Sequence, residues 1–148
     1  MSTTPVLPFE TTLEVRDTCL CLHTQRAARR IGRRFDDALR PFGLTNGQFS
    51  LLMSLNRPEP ARMGGLAELL AVDRTTLTAA LKPLQRRGLV EVARDPADAR
   101  SRLLTLTAAG LDLLARALPV WRVAHAEMEA RLPELGGDAL RRALGALA

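Results

Sequence analysis

At 148 residues, 47% hydrophobic and 25% charged, the chain fits one soluble globular domain and is not a disordered tail. Its short apolar runs exclude a membrane span and an export signal, so the cytoplasm is the expected location. Cys19 and Cys21 are too close in sequence to staple a fold. A formal charge of +5 and a pI near 10.8 call for an anionic partner, and 3% aromatics with no Tyr favour duplex DNA over single strands, which need stacking platforms.

Residues 1–12, with Pro5 and Pro8, read as a flexible N-terminal arm. Over residues 13–39 there is no proline and only Gly32. Apolar Leu20, Ala27, Ile31, Phe35 and Leu39 recur at helical spacing, which predicts one long helix stopped by Pro41. Thr45, with Gln48 three residues on, predicts a capped helix carrying Phe49, Leu52, Met53 and Leu55. Residues 57–65, with two prolines and two glycines, predict a loop, and residues 66–70 a short helix. Asp73 caps the next helix, whose Leu77, Leu81 and Leu84 form its apolar stripe. Pro83 should kink that helix, and Arg86, Arg87 and Gly88 should end it.

Residues 89–93 and 102–106 alternate as a two-stranded hairpin around a polar loop opened by Asp95 and Pro96. Thr107 caps a last long helix through Leu111, Leu114, Leu118, Trp121 and His125, bent at Pro119. After a break from Pro133 to Gly137, Asp138 caps a short C-terminal helix. The cations cluster in two places. Six arginines face two acids over residues 26–40, and seven cations face three acids over residues 74–102.

The expected fold is mainly α with a small β-hairpin wing: a winged helix-turn-helix with long terminal dimerisation helices. The major groove admits one helix, which must present short polar side chains and cations from its N-terminal half. Arg74, Thr75, Thr76, Thr78 and Lys82 meet that requirement, and the charged hairpin tip adds Arg100 and Arg102.

Leu44-Thr45 with Gln48-Phe49, Leu66-Ala67, the run Asp73-Arg74-Thr75-Thr76-Leu77-Thr78, Gly88-Leu89-Val90, Asp98 with Arg100, and Leu106-Thr107 with Gly110 together resemble the MarR family of bacterial transcriptional regulators. The resemblance implies a homodimer with intertwined terminal helices and two lobes on a palindromic duplex operator. It also implies a small-molecule or oxidant signal. By this likeness Thr75, Thr76 and Thr78 open the recognition helix, and Arg74 and Lys82 neighbour phosphate. Arg100 enters the minor groove and Asp98 steadies it. Many members carry arginine where this chain has Ala79, which removes a possible bidentate guanine contact. The organic-hydroperoxide-sensing branch places its reactive cysteine at the position of Cys21, but it supplies tyrosines that this chain lacks.

Cys19, Cys21 and His23 cannot converge on one ion from a helix, because Cys21 lies roughly 200° from Cys19, so no metal and no cofactor are expected. Trp121 and His125 share a helix face, where packing competes with the wall of a pocket for a small aromatic or organic effector. Two histidines with no phosphate loop and no nucleophile elbow give an enzyme no footing. The sequence therefore reads as a cytoplasmic DNA-binding repressor. Residues 44–106 form its DNA-binding lobe within a domain of residues 13–148, and residues 13–40 and 107–148 form its dimerisation helices. Cys21, His23, Trp121 and His125 are the candidate effector or redox residues. A helical interaction module that binds no DNA is the competing reading.

Overall fold

The computed structural model describes residues 6–132 and 134–148; Pro5 in the expected arm and Pro133 in the expected break lie outside the described residues. The chain order is α1 (Phe9–Thr18), α2 (Leu20–Leu39), a 3-10 turn (Arg40–Phe42), α3 (Asn46–Ser54), β1 (Ala61–Arg62), α4 (Met63–Leu69), α5 (Arg74–Arg86), β2 (Val90–Asp95), β3 (Asp98–Leu106), α6 (Ala108–Glu129) and α7 (Gly136–Gly145). It is a winged helix: a mainly helical chain with one small antiparallel sheet. Among the described residues no helix is long and apolar enough to cross a membrane.

Three caps form as the sequence dictates. Thr45 and Gln48 make both halves of a capping box at α3. Asp73 accepts the Thr76 N–H at the start of α5. The Thr107 hydroxyl accepts the Gly110 N–H at 3.0 Å and donates to the Gly88 carbonyl at 2.7 Å, tying α6 to the end of the recognition unit.

Four expectations need correction. Helix starts at Phe9, so the arm does not extend to residue 12. The helix expected over residues 13–39 breaks at Cys19, which is extended (φ −67°, ψ 108°). There the Thr18 hydroxyl donates to the Glu14 carbonyl, and the Cys19 sulfur accepts the Leu22 N–H at 3.4 Å, so local side-chain bonds compete with the helical ladder. The loop of residues 57–65 contains β1 and the start of α4, and β1 pairs with β3 to give a three-stranded sheet ordered β1-β3-β2. Asp138 does not cap α7; it sits in that helix's first turn and pairs with Arg141.

The core is built mostly from residues 44–106, joined by the end of α2 and the first turns of α6, and Leu39, Leu52, Leu77, Leu81, Leu84 and Leu104 are its largest fully buried side chains. Pro119 is accommodated inside α6 and Pro83 inside α5 without ending either helix. Gly110 sets how closely α6 approaches the wing. A Cβ there would stand 2.4 Å from the Leu89 carbonyl oxygen and 2.7 Å from Leu106 Cδ1. By contrast, α1 and α7 contribute no buried residue.

Candidate nucleic-acid interface

The leucine stripe of α5 faces inward, and at 100° per residue the opposite row is Thr75, Ala79, Lys82 and Arg86, all exposed. Arg74 and Thr78 flank this row. Arg74, Thr75, Thr78, Ala79 and Lys82 together line one shallow depression. Arg74 has room to lean because it lies over Gly64 of α4, where an added Cβ would stand 3.0 Å from the guanidinium.

The hydroxyls differ in what they have left to offer. Thr76 donates to Asp73 Oδ2 at 3.0 Å and is taken up by the cap. The Thr76 N–H, then its hydroxyl, hold the Asp73 carboxyl below its ordinary range. Thr78 donates to the Arg74 carbonyl at 2.8 Å. Among the described residues no intramolecular bond engages the Thr75 hydroxyl, and it stands in the outward row. Pro83 has no N–H to return to the Ala79 carbonyl, four residues back.

In the wing, β2 and β3 are joined by Pro96 and Ala97, with a register irregularity between Arg94 and Asp95. Arg100 is exposed near the tip. Asp98 accepts the backbone N–H of Arg100 at 3.0 Å, so the acid fixes the main chain at the arginine rather than gripping its guanidinium. Arg102 is half-buried and folds back, donating to the Ser101 carbonyl at 3.1 Å and the Ala99 carbonyl at 3.4 Å.

Sequence reading missed three charged groups here, Asp95, Arg62 and Arg86. Asp95 is only 5% exposed. One of its oxygens accepts the Ala97 N–H at 2.9 Å; the other lies 3.1 Å from the Arg62 guanidinium, as an ion pair off the hydrogen-bonding direction. Only the strand pairing of β1 brings Arg62 there, and that pairing has no sequence signal. Arg86 could have been found by extending the 100° wheel one turn.

Two links join the lobe to α2 and to the turn that follows it. Asp36 Oδ1 accepts from the Asn46 N–H at 2.7 Å and the Asn46 side-chain amide at 2.8 Å, at the first turn of α3. Arg87 donates to the carbonyls of Gly43 and Phe42 at 2.7 and 3.3 Å. The Asn46 backbone bond, then its side-chain bond, lower the Asp36 pKa. A folded-state pKa below the unfolded value of about 3.9 gives stability present above that value and lost as pH falls through the folded one. Thermal unfolding of wild type and Asp36→Asn, compared from pH 7 down to pH 3, should therefore show a gap that narrows at the acid end. A gap independent of pH would mean that the carboxylate charge does no work at this junction.

The four candidate effector or redox residues do not form one site. Trp121 stacks on Phe35 (5.9 Å), Phe49 (5.9 Å) and His125 (4.7 Å), joining α2, α3 and α6. His125 also edges a cavity of about 280 Å³ between α2, α6 and α7, lined by Ile31, Phe35, Met128, Leu140 and Leu144 among others. Cys21 and His23 sit at the start of α2 and do not line this cavity. The Cys21 sulfur accepts from the Gln25 amide at 3.2 Å, and the His23 ring nitrogen Nδ1 lies 2.9 Å from the Cys19 carbonyl. Among the described residues no three His, Cys, Asp or Glu gather as a metal site.

This geometry has close counterparts. A sequence description of the MarR family matches residues 44–101, from the start of the capped α3 to the wing tip. The Mycobacterium tuberculosis transcriptional regulator MosR, solved in complex with DNA, is 42% identical with a TM-score of 0.79, over 87% of this chain and 92% of that one. CouR of Rhodococcus jostii RHA1, a transcriptional repressor solved on a 23-mer DNA duplex, is 32% identical with a TM-score of 0.71, over 97% of this chain and 96% of that one. The transcriptional activatory protein BadR of Rhodopseudomonas palustris is 38% identical over 100 residues, which are 65% of this chain and 53% of BadR. The chain thus spans about half the length of that curated relative. With the helix-turn-helix, the wing and the outer helices matched together in MosR and CouR, the chain belongs to the MarR family of transcriptional regulators.

Proposed function

We propose that two copies of this chain form a sequence-specific DNA-binding repressor that a small molecule releases from a palindromic operator. The carrying observation is the outward row of α5, whose cations and free hydroxyl stand on the same lobe as the exposed Arg100 of the wing. Arg74, Lys82 and Arg86 then meet phosphates, and Thr75 and Thr78 meet base edges. Thr76 acts through the cap, and Arg100 enters a narrow minor groove. Asp98 and Arg102 shape the wing strand beneath it. Members of the family are transcription regulators rather than enzymes, which agrees with the absence of catalytic motifs in the sequence.

Repression is preferred to activation because CouR, named a repressor, aligns over nearly the whole chain, whereas BadR, named an activator, aligns over about half its own length. The cavity between α2, α6 and α7 supports an organic effector with an apolar body. Release by thiol oxidation has less support, since both cysteines lie away from that cavity. Ile31 and Leu144 line the cavity and also belong to the proposed subunit contact, so effector binding and dimer geometry would be linked.

Residues 44–106 are the reading lobe. Residues 13–40 and 107–148 supply the dimer, because α1 and α7 bury nothing within one chain and leave Val15, Leu144 and Leu147 exposed. A soluble dimer on chromosomal DNA places the protein in the cytoplasm. Sedimentation at micromolar concentration should give twice the 16.2 kDa chain mass, and selection from a random duplex pool should enrich a palindrome bound by two chains. A stable monomer would overturn the architecture. A dimer that enriches no duplex would leave the interaction module in its place.

A further inference from the structure

Resting on that reading, we infer that Arg87 is a positioning residue that fixes the angle of the recognition helix to the dimerisation helix, and so sets the operator spacing the dimer accepts.

Arg87 is the residue that closes α5, and its side chain leaves the lobe's DNA-reading row. It reaches back over 44 residues to the joint at the end of α2. There its two terminal nitrogens donate to two successive carbonyls, Nη1 to Gly43 at 2.7 Å and Nη2 to Phe42 at 3.3 Å. A rigid fork holding two acceptors fixes direction as well as distance, which an ammonium cannot do.

The acceptors are well chosen for a joint. Phe42 ends the 3-10 turn that follows α2, and Gly43 turns the chain at φ +62°, a conformation that favours glycine. A Cβ on Gly43 would stand 3.3 Å from Arg87 Nη2, so the absence of a side chain keeps the fork's place open. Leu39, just ahead of the joint, is fully buried, which makes the end of α2 part of the lobe while the rest of α2 carries the arginine face outward. On the α2 side the chain passes from dimer helix to lobe through residues 40–45, the segment that Arg87 grips beside the Asp36–Asn46 link.

In a two-fold dimer the distance between recognition helices follows from that angle, and half-sites lie about 10–10.5 bp apart. One added base pair moves a half-site by about 3.4 Å and turns it by about 34°. A clamped joint resists this, and a loosened joint follows it.

The test uses the full-length protein and the duplex that wild type selects, together with the same duplex carrying one base pair more or less at its centre. Wild type should lose about tenfold or more in affinity on each spacing variant. Arg87→Ala should lose about threefold or less on those variants relative to its own affinity for the parent duplex. Arg87→Lys should behave like Arg87→Ala, because a rotatable ammonium does not fix the direction of the two carbonyls as the planar fork does. Neither change should reduce the salt dependence on random duplex, whereas removing one phosphate-neutralising cation from each subunit would lower its slope by about 1.8. Gly43→Ala displaces the same fork, so its effect on spacing should not add to that of Arg87→Ala. Arg87→Lys that keeps wild-type spacing, or Arg87→Ala with a lowered slope and unchanged spacing, makes Arg87 a phosphate ligand and overturns the inference alone. A wild type that selects no duplex overturns the DNA-binding reading itself.

Discussion

Gly110→Ala should destabilise the protein by about 3 kcal/mol or more, the upper part of the range for forcing extra atoms into a packed site. For a chain of this size that lowers the thermal midpoint by roughly 6–12 °C. The obstacle is mainly backbone. The new methyl would meet the Leu89 carbonyl oxygen at 2.4 Å, and that carbonyl already accepts the Thr107 N–H at 3.1 Å. Leu106 Cδ1 could swing aside, but the carbonyl cannot move without disturbing the start of β2. The loss should therefore extend to the wing, with weakened DNA binding even at temperatures where the variant is folded. A scan that overlays wild type would mean that the first turn of α6 stands further from the wing than described.

The second large effect concerns electrostatics rather than packing. Arg74→Ala combined with Lys82→Ala removes two cations per chain from the outward face of α5. Across a dimer bound to duplex, four phosphates left without their cations should flatten the plot of log affinity against log salt by about 3.6, at about 0.9 for each. Affinity should fall on every duplex alike, because phosphate carries no sequence. Thr75→Ala should do the opposite, costing about 1–3 kcal/mol on the selected site and little elsewhere. Thr76→Ala should resemble neither, since its hydroxyl is already committed to Asp73. Binding isotherms at several salt concentrations on selected and random duplexes separate the three. A double variant with an unchanged slope would remove both cations from the interface.

What the sequence made legible was whatever local chemistry decides. Thr45 with Gln48, Asp73 and Thr107 announce helix starts because a cap needs only a side chain and the next three residues. The Leu77, Leu81 and Leu84 stripe oriented α5 for the same reason. The break at Cys19 was illegible because neither glycine nor proline marks it; it follows from ordinary side chains that happen to bond the backbone. β1 was illegible because two residues in a proline-rich stretch have no periodicity, and only β3 makes them a strand.

The candidate site divides along the same line. Membership of the outward row could be read at 100° per residue, but the availability of each hydroxyl could not. Thr75 and Thr76 are the same amino acid one position apart, and the cap takes only one of them. In the sequence Arg87 reads as part of the helix stop Arg86-Arg87-Gly88, where a cation also complements the end of the helix dipole. Its partners lie 44 and 45 residues earlier in the chain, beyond any local rule.

Ala79 stands at the centre of the outward row, with Thr75 and Lys82 on either side, and its methyl belongs to no part of the core. Replacing it disturbs neither the leucine stripe nor the cap, so mutation there is nearly free of folding consequences. Duplicated copies of such a regulator can therefore drift apart in the sequence they recognise while their scaffold stays under unchanged selection. On the proposed reading, an arginine arising at this one position would bring a guanine-seeking fork to the middle of the groove-facing row. A hydrogen-bonding amide would favour adenine instead. The smallest side chain of the proposed reading face is thus its point of least resistance to divergence, and a library varied at Ala79 alone should yield folded proteins with new operator preferences.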